Sequence, residues 1–280
     1  MKDIYKHLAS EAKTDQEALM RLKEIITILR KECPWDRVQT HKTLTTGMVE
    51  EAYEVVEAIN KEDMDNLEEE LGDVMLQVVF HANLAEEEGT FELKSLINRE
   101  CEKMIRRHPH VFLKERTNNN IKTIDNVLEK WENIKASEKV GKTTSNIMSD
   151  VPLALPALTR AAKVQKKAAE VGFDWDNISY AMDKVKEETS ELIEAYNDNF
   201  EDSRVIEELG DLLFSVVNVA RFLKVNPEEA LRFTTDKFIR RFTYVEEQGL
   251  ACGKSMEEMT LEEMDKLWDK AKELEKIDDK

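Results

Sequence analysis

A chain of 280 residues can build one large or two modest cores, and its 36% charged residues with only 8 Gly and 5 Pro favour helix over sheet. A net charge of −18 excludes a nucleic-acid duplex as partner, because its phosphates would be repelled. No run approaches the roughly 18 apolar residues of a membrane span, MKDIYKHLASEAK has no signal-peptide core, and the scattered Cys33, Cys101 and Cys252 form neither a zinc nor a disulfide pattern, so a cytoplasmic protein with free thiols is expected.

In chain order, Leu19, Leu22, Ile25, Ile26 and Leu29 recur at helical spacing and predict an amphipathic helix over 16–31. Pro34 in CPWD (33–36) ends it, since a proline disfavours helix in the residue before it. Helical patterns follow over about 45–60 and 64–87, break at EEGT, and return over about 91–107 to stop before Pro109. TNNN (117–120) reads as a loop and about 123–137 as a short helix. Residues 138–156 carry Gly, Ser, Thr, Asn and Pro without apolar periodicity and read as a linker. Further helices are predicted over about 157–170, 179–197, 201–223, 227–247 and 260–276, with GFDWD (172–176) between the first two.

The order of features repeats. Trp35-Asp36 answers Trp175-Asp176, EEAYE (50–54) answers EETSE (187–191), and EELGD (69–73) answers EELGD (207–211). KMIRR (103–107) answers KFIRR (237–241), and LEKWENIK (128–135) answers DKLWDKAK (265–272). Matches in one order across both halves predict a duplicated all-α architecture: a helical-bundle module over 1–137, a linker over 138–156 and a second module over 157–280.

The acids of the repeat share helix faces. Glu51 and Glu54, Glu70 and Asp73, Glu188 and Glu191, and Glu208 and Asp211 are each three residues apart and lie on one side of a helix. Two such helices side by side converge four carboxylates, which repel one another unless a cation sits among them. An oxygen-only set points to Mg²⁺, with Mn²⁺ as an alternative, and to phosphate. The last of the 5 histidines is His110, so the second half offers none for a redox di-iron site. Gly72 and Gly210, in mid-helix, are expected to mark close helix packing, since glycine there costs roughly 1 kcal/mol against alanine. Acid-rich helix faces are usually only solvated, but recurrence in both halves favours a site.

Phosphate also needs cations from the protein. Lys237, Arg240 and Arg241 share one helix and Lys163, Lys166 and Lys167 another. Trp175 and Trp268 either stack on a base or anchor helix packing.

With CPWDRVQTH, EEAYEV, ELGDVMLQVVFHA, RRHPHVF, LPAL, VGFDW, EELGDLLFSVVN and KFIRRF, the chain resembles the MazG family of nucleoside triphosphate pyrophosphohydrolases from about residue 16 to 276. The resemblance implies the all-α fold of these enzymes, tandem modules, a homodimer and Mg²⁺-dependent cleavage of nucleoside triphosphates, ATP among them, to monophosphate and pyrophosphate. It implies Glu188, Glu191, Glu208 and Asp211 as metal ligands and, with Glu187, as the catalytic set. It places Lys184, Glu187, Lys237, Arg240, Arg241 and Trp268 around the nucleotide, and Glu207, Asp211 and Asn218 are further expected substrate contacts. Glu51, Glu54, Glu70 and Asp73 would form a second, weaker site. One residue separates the halves: Asn218 stands seven after Asp211 and can hydrogen-bond a ligand, whereas Phe80 stands seven after Asp73 and cannot. That contrast favours the C-terminal site. A narrower dUTPase-like hydrolase and a non-catalytic nucleotide-binding scaffold are the alternatives.

Overall fold

The Thr14 hydroxyl accepts the backbone N–H of Glu17 at 3.2 Å and starts the first long helix, α1 (Asp15–Glu32). Extended backbone at Cys33 ends it, and Pro34 opens the single turn α2 (Pro34–Arg37), where its missing N–H costs nothing. The structure, a computed structural model, describes residues 3–112, 148–197 and 202–278 and positions 123, 127, 131 and 134. Its chain divides into two units, Met1–Val140 and Gly141–Lys280. Among the described residues there are helices and no strands, so the protein is all-α.

In the first unit α3 (Thr45–Lys61) and α4 (Met64–Glu87) form an antiparallel hairpin. Glu62, in the left-handed region at φ 55, closes α3, and the Asp63 carboxylate caps α4 through Asn66 N–H at 3.1 Å. Helices α1 and α5 (Leu93–Arg107) pack on α4, and α6 (Pro109–Phe112) follows as one turn. The core gathers Ile26, Leu44, Val79, Phe80, Ala82, Leu84 and Leu93. Each large side chain buried there contributes about 1.5–3 kcal/mol. The helix expected over 123–137 lies outside the described residues apart from single positions, as does the TNNN loop. The linker expected over 138–156 lies outside them as far as 147; beyond that, Val151 is buried.

The second unit repeats the hairpin. Helix α7 (Ala157–Glu170) packs on α9 (Asp202–Phe222), which pairs along its length with α8 (Ile178–Asn197). Asn226 caps α10 (Pro227–Ala251) through Glu228 N–H at 3.1 Å, and α11 (Leu261–Asp278) lies against α10. Its buried apolar residues are small: Val151, Ala181, Ala195, Val217, Val245 and Ala271, with Met259. No described helix is long and apolar enough to cross a membrane.

Candidate active site

Helix α8 places Glu188 and Glu191 one turn apart, and α9 brings Glu208 opposite them. One carboxylate oxygen from each lies within 4.8 Å of the other two. Glu188 is only 5% exposed, and a buried carboxylate needs a counter-charge. Lys184, one turn earlier, supplies it: its Nζ stands 2.6 Å from Glu188 and 2.9 Å from Glu187. The Lys184 hydrogen bond holds Glu188 below the usual carboxylate range, and the ion pair raises Lys184. Glu191 is pushed up, first by its hydrogen bond with Glu188 and then by desolvation. Arg204 approaches Glu208 at 3.8 Å. Asp211 and Glu207 are exposed and stand outside the converging group.

The first unit converges a different set. Glu51 from α3 meets Glu70 and Asp73 from α4 within 4.8 Å. Glu54 hydrogen-bonds both Glu51 and Glu70. Desolvation, then the neighbouring acids, push Glu51 and Glu70 above their ordinary range. No lysine precedes Glu51 by one turn; the position is Gly47, and the Gln77 amide lies beside Glu51 and favours its charged form. Each unit thus gathers acids able to hold a metal ion, and oxygen-only donors fit a hard divalent cation.

The expectation for the mid-helix glycines is overturned. A Cβ at Gly72 or Gly210 would meet nothing within 4 Å. Both lie on exposed helix faces, so among the described residues no neighbouring helix approaches closely enough to need them.

A cavity of about 470 Å³ opens in the second unit, walled by α7, α9 and the GFDWD loop. Asn218 lines it, two turns after Asp211 on α9 and so about 10 Å along the helix. Arg221 donates to Asn218 Oδ1 at 2.9 Å and reaches Asp174 with both terminal nitrogens, one at 2.9 Å and the other at 2.5 Å. Gln165 donates to the Phe214 carbonyl at 2.8 Å, while its buried Oε1 has no partner. Trp175 and Phe173 complete the aromatic wall. In the first unit the position of Asn218 is Phe80, sunk in the core beneath the Arg30 guanidinium, 5.8 Å from its ring centre.

Sequence reasoning missed Gln165, Asp174 and Arg221. The available signal was Gln165 itself, a polar residue in the stripe Leu158, Ala161, Gln165, Ala168 where the spacing calls for apolar ones.

The basic group lies on α10 and α11. Glu275 pairs with Arg241 at 2.6 Å and Arg240 at 3.7 Å. Arg241 stands over the Trp268 ring at 5.8 Å, and Phe238 packs on the same indole at 5.0 Å. Lys237 is exposed on the same helix. Among the described residues no ion pair or hydrogen bond joins this group to the acids of α8 and α9. Lys163, Lys166 and Lys167 lie along α7.

Three relatives are similar to this chain over most of its length. The nucleoside triphosphate pyrophosphohydrolase/pyrophosphatase MazG of Thermotoga maritima is 44% identical over 263 residues, 92% of this chain and 98% of that protein. The nucleoside triphosphate pyrophosphohydrolase of Escherichia coli K12 is 43% identical, covering 87% of this chain and 91% of its own length. The uncharacterized protein YabN of Bacillus subtilis is 45% identical over 87% of this chain, which spans 49% of it. The profile of the MazG nucleotide pyrophosphohydrolase domain matches residues 39–112 and 177–245, the stretches that carry the two acid groups, and the chain belongs to that family.

Proposed function

We propose that this chain hydrolyses nucleoside triphosphates to monophosphate and pyrophosphate in its C-terminal module. The observation that carries this reading is a single helix, α9, that offers Glu208 to the converging acids at one end and Asn218 to a cavity of about 470 Å³ at the other. A cavity of that volume suits a base and sugar, and Asn218 on its wall stands about 10 Å along the helix from Asp211. Glu188, Glu191 and Glu208 would hold a divalent cation, Mg²⁺ in the first place and Mn²⁺ in substitution, with Asp211 as a further carboxylate on the same helix. When bound, the cation neutralises triphosphate oxygens and acidifies a water.

The chain's own groups do the rest. Lys184 turns its ammonium from Glu188 to a phosphate oxygen once Glu188 has another partner. Glu187, exposed beside it, accepts the proton of the water that attacks the α-phosphorus; the bond from that phosphorus to the bridging oxygen breaks, and pyrophosphate leaves. The Asn218 NH₂ is available to the nucleoside, because Arg221 takes the amide oxygen. Glu207, Lys237, Arg240, Arg241 and Trp268 lie around the nucleotide; Arg240 and Arg241 exchange Glu275 for phosphate as charge builds on the leaving group.

A homodimer in the cytosol is part of this reading. Ile193, Ile206, Leu209 and Leu213 are exposed on α8 and α9 among the described residues, an apolar face that suits a second copy of the hairpin. The three cysteines are free thiols, as a reducing compartment keeps them.

The test separates products of each canonical NTP and dUTP, with and without Mg²⁺, for the wild type, Glu208→Ala and Glu70→Ala. Monophosphate and pyrophosphate from several bases, lost without metal and in Glu208→Ala but kept in Glu70→Ala, is the expected result. Turnover confined to dUTP would narrow the substrate, diphosphate as product would overturn the reaction, and no turnover would leave a binding module.

A further inference from the structure

The two acid groups sit on corresponding helices but are balanced differently. One turn before the first acid stands Lys184 in one module and Gly47 in the other. Lys184 contacts Glu188 at 2.6 Å. At Gly47 the equivalent space is taken: a Cβ there would lie 2.8 Å from the Gln77 Nε2 atom. That amide lies beside Glu51 and favours its charged form. The position matching Gln77 is Ser215, whose hydroxyl donates to the Asp211 carbonyl of its own helix at 2.9 Å. Two positions have therefore exchanged together. One module pairs glycine with glutamine and meets its acids with a neutral amide. The other pairs lysine with serine and meets them with a fixed cation.

This difference decides what each group takes from solution. Glu51, Glu70 and Asp73, with Glu54 beside them, pair with no ammonium among the described residues. Glu188 already has one, shared with Glu187 at 2.9 Å, and a cation entering among these acids is repelled by that ammonium unless another anion draws it away. A triphosphate is such an anion. We propose that the N-terminal group takes up a divalent cation without nucleotide, whereas the C-terminal group takes one only together with a triphosphate. Lys184 thus makes nucleotide and metal arrive together at the cutting site, and the first module keeps a resident ion. The inference rests on both acid groups being divalent-cation sites.

Mn²⁺ alone is the probe, added to the full chain at neutral pH and followed by the electron paramagnetic resonance of the free ion. Nucleotide-free binding is expected to persist in Glu208→Gln and to vanish in Glu70→Gln. Lys184→Ala should strengthen Mn²⁺ binding at the C-terminal group by at least about tenfold, the worth of one like charge removed at ion-pair distance. The gain should disappear again when Glu208→Gln is added. The exchange Gly47→Lys with Gln77→Ser should weaken the N-terminal group by a similar factor, and its retained helical signal would show that the module still folds. Equal nucleotide-free affinity at both groups overturns the proposal. So does unchanged binding in Lys184→Ala, or no nucleotide-free binding at all. Turnover of NTP by the same wild-type sample keeps the two readings apart: a loading difference without turnover leaves this inference standing and removes the pyrophosphohydrolase reading.

Discussion

The two modules put the same helices to different uses. In the first, position 80 is a phenylalanine packed among Ile26, Val79 and Leu84. In the second, the matching Asn218 lines a cavity, and the buried apolar residues around α9 are mostly alanines and valines. Volume that closes one core is left open in the other. The acids diverge in parallel: a neutral amide meets them in the first module and an ammonium in the second. The acids of the helix faces therefore recur in both modules, while a few positions behind them differ in whether they fill or leave space.

The largest expected effect of breaking this contrast falls on stability. Phe80→Asn removes a 5%-exposed ring from a packed core and puts an amide there without partners. Loss of a buried phenyl ring costs about 3–5 kcal/mol. The substitution should therefore melt the first module early, in a denaturant curve that splits into two transitions, rather than open a second nucleotide pocket. A variant of wild-type stability with doubled turnover would show that residue 80 alone had closed the site.

The reverse change, Asn218→Phe, has room to be accommodated, because the cavity is already open. It should leave the fold intact and lower kcat/KM for NTPs by about ten- to a hundredfold, mostly through KM, as expected when a polar contact is lost and a pocket filled. Unchanged kinetics would move the base away from this cavity and toward Trp268.

The helices were legible because apolar spacing and caps both mark them. The pattern over 16–31 corresponds to Asp15–Glu32, with Thr14 as its cap, and those over 64–87 and 227–247 to helices begun by Asp63 and Asn226. The acid pairs were legible as pairs, since three-residue spacing dictates a shared face. Which three carboxylates meet was not, because Asp73 is half-buried and Asp211 exposed, a difference set by how neighbouring helices lie. Gly72 and Gly210 misled for a physical reason: a mid-helix glycine carries a cost, but the structure supplies no close neighbour to explain it. The cavity was hidden because small residues such as Ala168 and Gly172 make it by leaving space, and absence of volume has no sequence pattern.

The smallest effect tests the cavity wall. Arg221 grips Asp174 with both terminal nitrogens, and the hydrogen bond holds the Asp174 carboxyl below its usual range. The corresponding position to Arg221 in the first module is Asn83, which bonds Thr27 instead. A depressed carboxyl contributes stability above its unfolded pKa of about 3.9 and loses it as pH falls through the lower folded value. The pair is partly exposed, so its worth is about 0.5–1 kcal/mol. Asp174→Asn should thus lower the melting temperature of the second module slightly at neutral pH, with wild type and variant converging as the pH drops below the usual carboxylate range. The first module's melting should not change with this substitution at either pH. A gap that persists in acid would mean that Asp174 acts through packing or a backbone contact, and that the ion pair does not hold the GFDWD loop against α9.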